Sequence, residues 1–120
     1  MRRRRAALWA VLASVAVGIA AVVRGRTGLI AAVAGELHPY LHLFIFASIA
    51  FLTSWSTRSA NLRALLCAGV ALLGLLTETT EWYFDHMAME WTDVILDAIG
   101  AVAGSGLGAL YEAAITARRS

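Results

Sequence analysis

Charge is scarce in this chain, and lysine is missing altogether. Only 15% of the 120 residues are charged, whereas 60% are hydrophobic, and mean hydropathy is +0.72. A soluble domain holds about half apolar and about a quarter charged residues, so the composition argues against an ordinary water-soluble fold. Cysteine and proline each occur once. Without a second thiol, Cys67 has no disulfide partner in the chain. Its place inside an apolar run predicts a buried, inert side chain. The length suits one domain, residues 1–120. The net charge of +2 says little, because the charges are segregated along the chain.

What the chain has in quantity is long apolar runs. A membrane-crossing helix needs about 20 mostly apolar residues, and four stretches qualify: 6–23, 39–56, 62–81 and 93–115. The second opens at Pro39, which suits a first helical turn because its missing N–H has no partner there anyway. Asn61 and Thr92 are expected N-caps of the third and fourth. Short connections at 57–61 and 82–92 favour antiparallel neighbours. The fold expected is all-α: a polytopic membrane protein, a four-helix transmembrane bundle.

The arginines orient it. Arg2, Arg3, Arg4, Arg5, Arg58, Arg63, Arg118 and Arg119 fall on one side, and only Arg24 and Arg26 on the other. By the positive-inside rule the crowded side is cytoplasmic, which places both termini inside. The acids run the opposite way. Glu36, Glu78, Glu81, Asp85, Glu90, Asp93 and Asp97 lie in the outer half, and Glu112 alone in the inner half. Aromatic residues mark both boundaries: Trp9, Trp55 and Tyr111 inside, Tyr40, Trp82, Tyr83 and Trp91 outside. Arg2–Arg5 before an Ala-rich run also fits a signal peptide. The run is long for that role, and its loss would leave an unbalanced three-helix protein. A nucleic-acid partner is not expected, since a membrane anchor follows the arginines at once.

Three pairs of ionisable residues sit at the outer ends of three spans. They are His38 and His42, Glu78 and Glu81, and Asp93 and Asp97. Spacings of three or four put each pair on one helical face. A carboxylate at membrane depth costs at least about 2.5 kcal/mol, so such residues turn inward and find partners. The polar pocket expected is His42, Glu78, Glu81, Asp93 and Asp97, with His42, Glu78 and Asp97 at its heart. Plainer roles stand beside this. Asp93 suits a helix N-terminus, Glu81 and His38 suit the interface, and Asp85 and Glu90 are loop acids. Gly100, Gly104 and Gly108 form a G-x-x-x-G-x-x-x-G series that allows close helix approach. Gly69 and Gly74 are candidates for the facing groove. The same series suits a homo-oligomer.

In this order the motifs resemble the VanZ-like membrane proteins. That family carries D-K-x-x-H opening one helix, E-x-x-Q near the end of the next, and D-x-x-x-N-x-x-G-x-x-x-G opening the last. Here His42 stands at the histidine, Glu78 at the glutamate with Glu81 for glutamine, and Asp93 at the aspartate with Asp97 for asparagine. Gly100 and Gly104 match, while His38 and Pro39 replace the D-K pair. The resemblance covers residues 38–110. The E-x-x-E-W form, Glu78 to Trp82, also looks like a related group of bacterial membrane proteins. The resemblance implies a bacterial cytoplasmic-membrane protein of the cell envelope, linked to susceptibility to glycopeptide antibiotics. Its partners would be the bilayer and an envelope lipid or lipid-linked precursor.

Other functions compete with this one. A membrane-embedded metal-dependent enzyme would draw ligands from His38, His42, Glu78, Glu81, Asp93 and Asp97. No H-E-x-x-H motif supports it, neither glutamate is followed by histidine at di-iron spacing, and no nucleophile stands beside a base. The leading expectation is therefore a non-enzyme without cofactor or metal. A proton or cation pathway finds almost nothing to continue it in the inner half, which offers such residues as Ser14, Ser48, Thr53, Cys67 and Glu112. A structural or assembly role would rest on the glycine series.

Overall fold

Apolar runs broken by short polar stretches become helices. The computed structural model describes residues 2–27, 38–86 and 88–120. Helix α1 spans Arg2–Thr27, α2 His38–Trp55, α3 Ala60–Asp85 and α4 Trp91–Arg119. No strand occurs among the described residues. Glu36 lies outside them, as do the side chains of Arg24, Arg26, His38 and Asp85.

The helices outrun the apolar stretches, because polar residues extend a helix wherever backbone hydrogen bonds continue. Trp82, Tyr83 and Asp85 therefore belong to α3, not to a loop. The caps also differ from expectation. Ser59, not Asn61, caps α3, its Oγ accepting from the Leu62 N–H at 3.2 Å. Helix α4 opens at Trp91 with Glu90, two residues before Thr92, in the N-cap position and no side-chain cap. Arg63 folds back on the end of α2, where its Nη2 donates to the Thr57 carbonyl at 2.9 Å. Its Nε also reaches the Ser54 carbonyl at 3.5 Å, one of those at the helix end without an intrahelical partner.

Helix α4 is the hub. It lies along α2 over most of its length and packs less extensively against α3, while α1 covers α2 and α3. The core consists of Phe46, Ile49, Ala50, Val70 and Ala101, with Ala13, Val17, Cys67, Ala71 and Leu73 packed around it. The result is a rod of 53 × 23 × 23 Å.

The glycine series faces α2. A Cβ on Gly100 would sit 2.7 Å from the Leu43 carbonyl oxygen, and one on Gly108 2.7 Å from that of Phe51. One on Gly104 would collide with the Ala47 carbonyl. The facing groove is therefore Leu43, Ala47, Phe51 and Ser54, not Gly69 and Gly74. The register ascends on both helices, so α2 and α4 run parallel. Ser54 Oγ donates to the Ser105 carbonyl at 2.8 Å across the same seam.

Helices α3 and α4 are long and apolar enough to cross a membrane, and α2 is apolar but shorter. The core helix of a soluble protein would be mostly buried. Here only 17% and 33% of the apolar windows of α3 and α4 are buried. Leu65, Leu72, Leu76, Ile95, Ile99, Val102 and Leu107 face outward, an apolar surface suited to lipid.

Candidate functional site

The parallel pairing of α2 and α4 brings the first turns of both to one end of the rod. The last turns of α3 meet them there. His42 lies one turn into α2, Glu78 and Glu81 near the end of α3, and Asp93 and Asp97 in the opening turns of α4. All four carboxyl groups are buried, with Glu78 at 2%, Glu81 at 6%, Asp93 at 2% and Asp97 at 0% exposure.

His42 is held on both edges. Its Nδ1 lies 2.8 Å from Asp97 Oδ1. An ionised carboxylate accepts, which places a proton on the Nδ1 that faces it. Nε2 lies 3.7 Å from Asp93 Oδ2. One ring face stacks on the buried Phe46, with centroids 6.1 Å apart and planes 11° from parallel. Two carboxylates and an aromatic ring thus fix the orientation of one imidazole. Asp93 serves at the helix N-terminus, as expected, and toward the histidine as well.

Glu78 enters from α3. Its Oε2 accepts from the Glu90 backbone N–H at 3.3 Å, while its Oε1 is buried without a hydrogen-bond partner among the described residues. His42, Glu78 and Asp93 each offer one donor atom, and these atoms lie within 4.8 Å of one another.

Two second-tier features complete the site. Gly74 makes room for Asp97, since a Cβ there would lie 2.6 Å from both Asp97 Cβ and Oδ2. Gly69 has nothing within 4 Å and does not join the seam. His86 ends α3 in a left-handed conformation, φ 53°, which reverses the chain and brings the Glu90 amide back to Glu78.

Of the expected pocket residues, the structure brings His42, Glu78, Asp93 and Asp97 together. Glu81 is buried, whereas its neighbour Trp82 is exposed. Glu90 is an exposed acid, as expected, but its backbone amide matters, and no side-chain pattern signals that. His38 shares the first turn of α2, where its helix position alone is described.

The opposite end is cationic. Glu112 forms an ion pair with Arg3, and Arg58 Nε lies 3.6 Å from Glu112 Oε1. This ties α1 to α4 and to the α2–α3 turn. Trp55 and Tyr111 meet edge to face beside it, centroids 5.1 Å apart. Compared with known proteins, the chain matches no family model, no curated protein and no solved structure.

Proposed function

We propose that this chain is a multi-pass protein of the bacterial cytoplasmic membrane, with four crossings and both ends in the cytoplasm. Its function is exercised by an outward-facing pocket of carboxylates around His42, which binds a cationic or lipid-linked component of the cell envelope. The observation that carries this reading is the convergence of His42, Glu78, Asp93 and Asp97 from three helices into one buried centre. Ionisable groups at membrane depth are costly, so a cluster of them is the default place to look for function. Arginine sidedness supports the orientation. The order of the histidine, glutamate, aspartate and glycine motifs supports a VanZ-like envelope role.

Topology is tested by labelling. In a Cys67→Ala background, Ser120→Cys is expected to react with a membrane-impermeant maleimide only after the cells are opened. Labelling of intact cells would reverse the orientation.

Function is tested in a glycopeptide-sensitive bacterium expressing the chain. Wild type is expected to lower susceptibility to a lipoglycopeptide, and the isosteric variants Glu78→Gln and Asp97→Asn to lose most of that protection at equal membrane levels. Full protection by both variants would sink the envelope-pocket reading.

A further inference from the structure

Helices α2 to α4 bury four carboxyl groups beside one imidazole at this end. Their own arginines, Arg63, Arg118 and Arg119, lie at the other end of α3 and α4. Acidic and imidazole side chains from three helices thus share one buried place.

We propose that His42, Glu78 and Asp93 form a binding site for a single divalent ion of the zinc class. Three observations point to an ion. The donors come from three separate helices, yet lie within 4.8 Å of one another. Bonds of about 2.0–2.2 Å place two ligands of one zinc at most about 4.4 Å apart, so small side-chain rotations close the difference. The Nε2–Oδ2 separation of His42 and Asp93, 3.7 Å, already lies inside that limit. Second, Glu78 is nine-tenths buried and more, with Oε1 lacking any hydrogen-bond partner among the described residues. A buried carboxylate oxygen left without a donor suits a cation.

The third observation is Asp97. A metal-binding histidine donates its other ring N–H to a carboxylate, which fixes the tautomer and raises the basicity of the ligand nitrogen. Asp97 faces Nδ1 in this way, and Nε2 lies toward Asp93. Gly74, by leaving space for Asp97, belongs to the same arrangement. One imidazole with two carboxylates favours a borderline ion over calcium or magnesium. Three protein donors leave a coordination position for an external oxygen donor, such as water or a phosphate oxygen.

This deepens the pocket reading above and rests on its geometry, but its test is independent of any cellular phenotype. The full chain, purified in detergent, is equilibrated with Zn2+, and bound metal is measured by elemental analysis. About one ion per chain is expected, as for a three-ligand zinc site. Glu78→Gln and Asp93→Asn are expected to abolish retention. Asp97→Asn should weaken affinity about 10- to 100-fold, as loss of a supporting carboxylate does, and Glu112→Gln at the opposite end should change nothing. Should a ligand variant fail to fold, Co2+ added to wild type supplies the second measurement. Visible bands of nitrogen–oxygen coordination, without a thiolate band from Cys67, are expected. Absence of stoichiometric zinc, absence of those bands, or unchanged affinity in a folded Glu78→Gln overturns the proposal. Metal retained with no effect on antibiotic susceptibility would instead remove the envelope role and leave the site standing.

Discussion

Gly104→Val is expected to separate α4 from α2 and destabilise the chain by about 3 kcal/mol or more. The cause is contact with backbone, not with a side chain that could swing away. A Cβ at Gly104 would run into the Ala47 carbonyl group, and those at Gly100 and Gly108 on either side would also press on α2, 2.7 Å from its carbonyl oxygens. Relief therefore needs the two helices to move apart along the whole seam. That would also break the Ser54–Ser105 hydrogen bond and draw His42 from Asp97. Gly106 supplies the control. It has nothing within 4 Å, so Gly106→Ala should be neutral or stabilising by up to about 1 kcal/mol through helix propensity. Unfolding midpoints in mixed-detergent titrations followed by circular dichroism measure both. Equal midpoints for Gly104→Val and wild type would show that the seam is not the principal contact.

The second large effect is expected at Asp97. Asp97→Ala should cost about 3 kcal/mol, in the range for removing one partner of a buried charged pair. The carboxylate is fully buried and holds the His42 Nδ1 at 2.8 Å. Its loss takes that partner from a partly buried imidazole. Asp97→Asn keeps an oxygen acceptor in the same place and should cost about 1 kcal/mol, near the value of one hydrogen bond. Gly74→Ala approaches the same defect from the other side, because its Cβ would push Asp97 off the histidine. It should fall between the two Asp97 variants. The same titration ranks all three, and an Asp97→Ala midpoint equal to that of Asp97→Asn would deny the pair a structural role.

The two predictions meet in one design. The glycine seam sets how closely α2 and α4 approach, and that approach decides whether His42 can reach Asp97. A change at Gly104, two turns from the site, should therefore disturb the site as well. The reverse is not expected. Asp97→Asn leaves Gly104 and Gly108 against Ala47 and Phe51, so the seam should survive it.

Helix content was legible because hydrophobicity is a local property: the apolar runs 6–23, 39–56, 62–81 and 93–115 each fall within a helix, apart from a residue or so at an edge, although the helix ends and caps lie elsewhere. Spacing also put Glu78 with Glu81, and Asp93 with Asp97, on shared faces, since 3.6 residues per turn requires it. Burial of Glu78 and Asp97 followed from the cost of charge among apolar side chains, whereas Glu81 and Asp93 also suited plainer places. Partner choice could not be read the same way. The glycine series announced a close contact without saying with which helix, because a missing Cβ permits approach from any backbone of matching shape. Short turns suggested that chain neighbours would pair most closely, yet α2 and α4, separated by a whole helix, form the main contact. Nor could spacing reveal that Glu78 is held by the Glu90 amide, that Asp97 fits against Gly74, or that Nε2 of His42 is left toward Asp93. Composition and periodicity thus determined the helices and the residues that had to be hidden. The tertiary structure alone brought them into a single centre, because distances between helices depend on how three backbones pack at once.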